Sequence, residues 1–244
     1  MLPEHHLHPQ PRLRLDQKSP IPKISKVSSA LSQAYRKDYT NNSPVNPALL
    51  EKIVRTACDR AIAAEPNLTK WDMVMGDGDC GEAVEGVSRA ILKDISSTTK
   101  KGSLFELLYS TIDKVDDMGG TLGAIFGIFL SALATSLRTT SKEAPDYAAT
   151  TAAATTALKQ YTGAREGDRT VMDVLLPFAE TFEKTKDFSK AVQVAKEKAE
   201  ATRYLKPKFG RASYVGAGGK EQELPDPGAW ALYELLQGML DGKN

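Results

Sequence analysis

The sequence predicts an all-α fold with about eight helices. After Pro47, apolar residues recur every three or four positions, which is typical of amphipathic helices. No segment alternates apolar and polar residues over the length of a strand. Short connections that contain glycine separate the apolar stripes, as expected when consecutive helices pack side by side.

Each predicted helix depends on one stripe of apolar residues. The turn at Gly119 opens a nearly continuous apolar run through Leu137, which predicts a central helix because it has no polar face. An Ala- and Thr-rich stretch, 147–161, predicts a helix that packs closely, and Pro177 predicts a kink in the next helix. The remaining stripes begin at Leu50, Val84, Leu104, Val171, Ala191 and Trp230.

The chain of 244 residues changes in composition near residue 45. Residues 1–45 are rich in Pro, Ser, Lys and Asn and poor in large apolar side chains, which predicts a disordered tail or linker with at most a short helix at 27–35. Residues 46–244 carry the helical stripes. They are predicted to form one domain with a well-buried core.

Composition excludes several classes of function. The net charge is +1 and the basic residues are interspersed with acidic ones, so no nucleic-acid partner is expected. The longest apolar run is too short to span a bilayer, and the first residues lack the apolar core of a signal peptide. Two cysteines cannot form a disulfide framework. We therefore expect a cytoplasmic protein without membrane contact.

Histidine is absent from the predicted domain, because all three histidines lie within the first eight residues. A Ser-His or Cys-His nucleophile and a histidine general base are therefore excluded within the domain. Its chemistry must depend on carboxylates, hydroxyl groups, arginines, backbone dipoles and bound metal.

Three aspartates crowd one glycine-containing turn between the first two predicted helices. Asp72, Asp77 and Asp79 would repel one another unless a cation lies between them. Gly76 and Gly78 allow a turn that directs these side chains to one point, and the next helix begins near Glu82. A solvated turn is the alternative, but the pattern favours a hard cation together with phosphate groups.

Further glycine turns precede other predicted helices and offer groups suited to a nucleotide. The turn at 119–123 supplies backbone amides and the Thr121 hydroxyl at a helix N-terminus. A second turn spans 163–170, and Arg211 could grip a phosphate with its planar guanidinium. No P-loop motif is present, and no strand precedes these glycines as a dinucleotide fold requires.

Together, these segments resemble the ATP-binding L domain of dihydroxyacetone kinases, especially the C-terminal half of the single-chain eukaryotic enzymes. The resemblance covers residues 46–244 and implies a barrel of eight antiparallel helices with the nucleotide at one end. The matching blocks, in family order, are Asp72 with Gly76–Gly81, Met118–Thr121, Gly163–Thr170 with Asp173, Arg211–Tyr214 and Asp226–Ala229.

The resemblance also implies a ligand set. Asp72, Asp77 and Asp79 would hold two Mg²⁺ ions that bridge the phosphates of ATP, and no further catalytic residue is expected. Met172 would face the adenine, although its place in an apolar stripe is equally typical of core. The residues expected to contact the nucleotide are Cys80, Gly81, Glu82, Ala83, Thr121, Leu122, Gly163, Met172, Arg211, Asp226, Pro227 and Gly228.

Two departures from the family pattern affect function. Leu122 stands where the family usually has Ser, and a lost hydrogen bond to phosphate costs on the order of 1.5–3 kcal/mol. The K domain, which holds dihydroxyacetone on a histidine in the single-chain enzymes, has no counterpart in this sequence. We therefore expect a phosphoryl-donor module that works with a K domain in trans or as a homodimer. The alternatives are a non-catalytic nucleotide-binding remnant and a fragment from a mis-set gene boundary.

Overall fold

The structure is a computed structural model, and it describes residues 46–97, 104–140, 144–209 and 223–244. Eight α-helices and one short 3-10 helix make up most of these residues. The described residues contain no strand, which confirms the predicted all-α class. The helices are α1 Pro47–Met75, α2 Cys80–Ser97, α3 Leu104–Met118, α4 Gly120–Thr139, α5 Tyr147–Leu158, α6 Met172–Thr185, α7 Phe188–Ala201 and α8 Pro227–Lys243, with the 3-10 helix Thr202–Tyr204 after α7.

The helices form a closed antiparallel barrel, as expected. Each one packs on its neighbours in the chain, and α8 packs along α1 to close the ring. Because direction alternates, α2, α4, α6 and α8 all begin at the end of the barrel where α1, α3, α5 and α7 finish. We call this the metal end, since it carries the three clustered aspartates. The predicted short helix at 27–35 lies outside the described residues.

The helix starts are determined locally by side-chain caps. The Asn46 side chain accepts a hydrogen bond from the Ala48 amide at 2.9 Å, and Pro47 follows at the first helical position. Asp146, Asp187 and Asp226 cap α5, α7 and α8 in the same way. Each cap satisfies an amide that the helix itself leaves without a partner.

Helix α1 is longer than its apolar stripe predicts. The stripe fades after Ile62, yet the helix continues through Pro66 to Met75 and carries Asp72 in its last turn. Leu68 is fully buried and Trp71 packs against the Trp230 ring of α8, so the later turns bury an apolar face of their own. Tertiary packing therefore outweighs the proline, which lacks an amide hydrogen for the helical ladder.

The predicted central position of α4 is wrong. Only 33% of its most apolar window is buried, because the helix forms part of the barrel wall between α3 and α5. Ile125 and Phe126 face the core, while Phe129 and Leu133 are half-buried. The expectation that the longest apolar run is too short to span a bilayer is also wrong, because the helix extends beyond that run on both sides. Among the described residues, α4 is the one helix long and apolar enough to cross a membrane by length and composition alone.

The seam between α1 and α8 depends on glycine. A Cβ atom on Gly238 would lie 2.5 Å from Ala57 Cα, and one on Gly242 would lie 2.6 Å from Ile53 Cα. Ala61 and Ala231 are fully buried in the same region. Small residues on both helices thus let the two backbones approach closely and close the ring.

We expect Gly238→Ala to lower the free energy of unfolding by about 2 kcal/mol, because the added methyl group collides with the α1 backbone. Thermal unfolding should show a melting temperature lower by about 4–8 °C. Gly86→Ala is the matched control: a Cβ there meets nothing within 4 Å, and alanine should stabilise helix α2 by about 0.5–1 kcal/mol. Equal melting temperatures for the two variants would contradict the close seam.

Candidate functional site

The glycine turns identified in the sequence lie at the metal end, as far as the structure describes them. They connect α1 to α2, α3 to α4 and α5 to α6, and the segment between α7 and α8 returns to the same end. The barrel topology therefore gathers segments that are far apart in sequence. It also places four helix N-termini, with their partial positive charge, at one end.

The three aspartates of the first turn converge. Asp72, Asp77 and Asp79 each offer a carboxylate oxygen, and these oxygens lie within 4.8 Å of one another. Asp72 is half-buried, whereas Asp77 and Asp79 are exposed. A cluster of this kind offers the hard oxygen ligands that Mg²⁺ and Ca²⁺ prefer.

Backbone geometry explains why these carboxylates meet. Gly76 ends α1, and its amide donates to the Asp72 carbonyl at 2.5 Å. Gly78 has φ +81°, a conformation that side-chain-bearing residues rarely adopt, and it turns the chain back towards α1. The Cys80 amide then donates to Asp72 Oδ2 at 3.1 Å, which ties the start of α2 to the end of α1.

Gly81 brings the two helices together at this point. A Cβ atom on Gly81 would lie 2.6 Å from the Glu65 carbonyl oxygen in α1, so any larger residue would push α2 away. Cys80 is held in the same narrow space. Burial, reinforced by Asp72, Asp226 and Asp79, raises the pKa of the Cys80 thiol to about 12, so the thiol is protonated at neutral pH.

Asp226 lies beside this cluster at the start of α8. Its Oδ1 accepts from the Ala229 amide at 2.7 Å and caps the helix. Burial raises the pKa of its carboxyl group to about 7, with the nearby Asp173 and Asp72 adding to the rise and Arg169 opposing it. Pro227 is buried, and Gly228 is half-buried next to the cap. The position and charge of Asp226 are therefore coupled to the rest of the metal end.

The loop before α6 is organised by two buried carboxylates. Asp173 accepts hydrogen bonds from the amides of Gly167 at 2.5 Å and Thr170 at 2.7 Å. Burial raises the pKa of Asp173 despite these bonds. Asp168 accepts from Lys208 Nζ at 2.6 Å and from the Arg165 amide at 2.8 Å, and the bond to Lys208 lowers its pKa. The loop is thus fixed both to α6 and to the segment after α7.

The start of α4 combines an open glycine turn with a packed leucine. Gly119 and Gly120 have φ +71° and +63°, and a Cβ on either would meet nothing within 4 Å. Thr121 is exposed beside them. Leu122 is half-buried, packs on two core clusters, and its Cδ1 lies 3.4 Å from a Cβ position at Gly228. The residue that departs from the family pattern therefore fills space between α4 and α8.

The other predicted nucleotide contacts are divided between surface and core. Gly163 and Glu82 are exposed, and Ala83 is half-buried at the metal end. Met172 has no exposed surface and belongs to the barrel core, as its apolar stripe alone would predict. Arg211 lies outside the described residues.

A cleft of about 470 Å³ lies between α1, the end of α7 and the start of α8. Trp71 and Pro225 line it, each next to an aspartate of the metal end. Its charged side chains pair with one another, Arg60 with Glu234 and Arg203 with Glu200. The cleft borders the aspartates, but these pairs leave its own charge balanced.

Two residues of the metal end were not predicted as site residues. Arg169 is 2% exposed and donates to the carbonyls of Leu205 and Leu224. Thr202 is fully buried and accepts a hydrogen bond from the Asp226 amide at 2.8 Å. Nothing in the sequence marks Thr202, since a threonine near a helix end is ordinary. Arg169 lies in a glycine turn that the sequence did single out, but its inward direction depends on a backbone φ of +59°.

Comparisons with known proteins agree with this architecture. The family model described as "DAK2 domain" matches residues 74–241. The chain belongs to the DAK2 domain family. It is 39% identical over 218 residues to a dihydroxyacetone kinase of Komagataella pastoris, covering 84% of this chain and 36% of that protein. It is 32% identical over 198 residues to triokinase/FMN cyclase of Homo sapiens, covering 78% and 34%.

A solved structure shares the fold. The dihydroxyacetone kinase from C. freundii, in complex with AMP-PNP and Mg²⁺, superposes with a TM-score of 0.65 at 24% identity, covering 84% of this chain and 35% of that one. The DAK2 domain thus spans little more than a third of the relatives it matches. The family match begins within α1, so the domain boundary at residue 46 stays a prediction.

The packing of Leu122 leads to a test. In this DAK2 domain we expect Leu122→Ser to lower the free energy of unfolding by about 1–2 kcal/mol, because it removes apolar contacts to both core clusters. Affinity for Mg-ATP, measured by calorimetry, should stay unchanged. Leu122→Met conserves volume and is the control. Tighter Mg-ATP binding at an unchanged melting temperature would instead mean that position 122 faces the phosphates.

The pKa of Asp226 predicts a pH dependence. The carboxyl titrates at about 7 in the folded state but near 3.9 in an unfolded chain, so the folded state holds the proton more tightly. The free energy of unfolding should therefore fall as the pH rises from about 4 to about 7. Asp226→Asn keeps the helix cap but carries no charge. From pH 5 to pH 8, its free energy of unfolding should therefore fall by about 2 kcal/mol less than that of the wild type.

Urea unfolding in EDTA at both pH values measures this difference. Asp187→Asn is the control, because Asp187 caps α7 at the opposite end of the barrel. That variant should keep the wild-type difference between the two pH values. If Asp226→Asn keeps it as well, Asp226 is not the group that titrates.

Proposed function

We propose that this DAK2 domain binds ATP with Mg²⁺ and donates the γ-phosphoryl group to a triose held by a K domain on another polypeptide. The convergence of Asp72, Asp77 and Asp79 carries the proposal, because their oxygens lie within 4.8 Å of one another where four helices begin. The sequence relatives are dihydroxyacetone kinases and triokinase/FMN cyclases, and the structural neighbour from C. freundii was solved with AMP-PNP and Mg²⁺.

The aspartate cluster fits two Mg²⁺ ions that also contact phosphates. Mg²⁺ keeps several waters and takes only one or two carboxylates per ion, so it needs an open site. Asp77 and Asp79 are exposed, which leaves room for water and phosphate oxygens. Asp72 Oδ2 accepts from the Cys80 amide, and Gly76 leaves space beside Asp72 Oδ1. The ions would offset the roughly four negative charges of ATP.

The domain itself contributes position and charge rather than a nucleophile. Amides at the starts of α2, α4 and α8 lie at the same end, and the open turn at Gly119 and Gly120 lets a phosphate approach the backbone. The Cys80 thiol is protonated because its pKa is about 12. Phosphoryl transfer requires little more than alignment and neutralisation of charge.

Exposed apolar side chains at the metal end support a protein partner there. Met73, Tyr161 and Tyr204 are 71%, 71% and 79% exposed, and each lies in or just after the last turn of a helix that ends at the metal end. A K domain that presents a triose to the nucleotide would cover them. A contiguous exposed apolar patch is typical of a binding surface, and in this proposal the three side chains belong to one. We place the partner on this end and the domain in the cytoplasm.

A non-catalytic nucleotide-binding remnant is the alternative. The observation that favours it is Leu122, an apolar residue packed between α4 and α8 at the position where the family usually has Ser. Such a protein would bind Mg-ATP more weakly and would transfer nothing. The two functions differ in turnover rather than in fold.

Removing one carboxylate tests the metal site. Asp77→Asn should weaken Mg-ATP binding at least about tenfold, because an amide replaces a charged ligand of the ion. Asp59→Asn, an exposed acid on α1 outside the cluster, is the control and should bind as the wild type does. Isothermal titration calorimetry with and without EDTA measures both. Equal ATP binding in EDTA would reject the metal site.

Adding the partner tests phosphoryl transfer. The domain alone should release no ADP with dihydroxyacetone, and a K domain from a related kinase should restore turnover because it brings the aligned acceptor. Tyr204→Ser should weaken this rescue without changing Mg-ATP binding. Leu49→Ser, at the opposite end, should not weaken it. Brisk turnover by the domain alone would overturn the two-module arrangement, and no rescue by any K domain would favour the remnant.

A further inference from the structure

One buried side chain joins both ends of the segment that connects α7 to α8. Arg169 is 2% exposed, and its guanidinium donates to the Leu205 carbonyl at 3.3 Å and to the Leu224 carbonyl at 2.7 Å. Leu205 directly follows the 3-10 helix after α7, and Leu224 lies shortly before α8. The planar fork of arginine can reach two carbonyls at once, which a lysine ammonium on its single stem does less well.

The backbone of Arg169 is held in an unusual conformation. Its φ of +59° is left-handed, which side-chain-bearing residues adopt mostly where the surroundings enforce it. The neighbouring amides of Gly167 and Thr170 both donate to Asp173, and Asp168 pairs with Lys208. These bonds hold the backbone on each side of Arg169, and the guanidinium points inward from this fixed backbone.

A second buried group holds the same segment. The Thr202 hydroxyl donates to the Ala199 carbonyl at 2.6 Å and accepts from the Asp226 amide at 2.8 Å. Arg169 and Thr202 together fix the backbone from Leu224 to Asp226, which determines where α8 begins. Asp226 and Gly228 at this start belong to the proposed nucleotide site, and Arg169 reaches it through the Leu224 carbonyl, two residues before Asp226.

We infer that Arg169 is a positioning residue for nucleotide binding, which acts by holding the start of α8 at the metal end rather than by contacting the ligand. This inference rests on the proposed function. It separates two properties of the site. Affinity for the nucleotide depends on where α8 begins, while affinity for a metal ion alone depends on the turn between α1 and α2.

The test measures these two affinities separately. Wild type, Arg169→Lys and Arg169→Met are titrated with Mg-ATP by calorimetry and with Mn²⁺ alone by electron paramagnetic resonance. Arg169→Met should weaken Mg-ATP binding at least about tenfold, since bonds from a charged donor are lost. Arg169→Lys should keep part of the affinity. Mn²⁺ binding should stay within about twofold of the wild type in both variants.

Two further variants complete the design. Arg60→Met is the matched control, because Arg60 also bonds to α8, through Glu234 and Asp241, but away from the start of that helix. It should leave Mg-ATP binding within about twofold of the wild type. Thr202→Val removes the hydroxyl group that accepts from the Asp226 amide, which is the second hold on the segment before α8, and should reproduce the pattern of Arg169→Met. It decides the question if Arg169→Met does not fold.

The outcomes are distinguishable. Unchanged Mg-ATP affinity in folded Arg169→Met, or in Thr202→Val, overturns the inference. A parallel loss of Mn²⁺ and Mg-ATP binding also overturns it, because Arg169 would then only maintain the fold. A wild type that binds no Mg-ATP overturns the proposed function itself, and the inference with it. Selective loss of Mg-ATP affinity supports the inference.

Discussion

The close contact between α1 and α8 is the constraint on which the rest of the structure depends. Glycines on α8 let its backbone lie against α1, and this contact joins the last helix to the first and closes the barrel. Closure places Asp226 beside Asp72 although the two are far apart in the sequence. Without it, the start of α8 and the aspartate turn would form separate surfaces, and neither could enclose a ligand alone.

The metal end balances opposing electrostatic effects. Asp72, Asp77 and Asp79 concentrate negative charge, while four helix N-termini contribute partial positive charge at the same end. Buried Arg169 adds a full positive charge near Asp226. Such an arrangement suits a ligand that carries both signs of charge, such as a cation bound to a polyanion. Neither a lone metal ion nor a lone phosphate would satisfy both parts.

Local patterns in the sequence predicted the helices and the aspartate turn, because periodicity and glycine placement act over short distances. They did not predict the reach of α1 beyond Pro66 or the wall position of α4, since both depend on neighbouring helices. The convergence of the glycine turns followed only from the family resemblance. Arg169 and Thr202 were not predicted. The role of Arg169 depends on its backbone φ angle, and that of Thr202 on a contact with Asp226, which is distant in the sequence.

The direction of α1 determines how any N-terminally attached domain would be tethered. This helix has 29 residues and therefore runs about 44 Å from Asn46 to the aspartate turn. A polypeptide joined before Asn46 leaves from the end opposite the carboxylates. To reach them it must double back along the whole barrel, or come from a neighbouring molecule. A covalently attached domain therefore needs a linker long enough to span the length of α1.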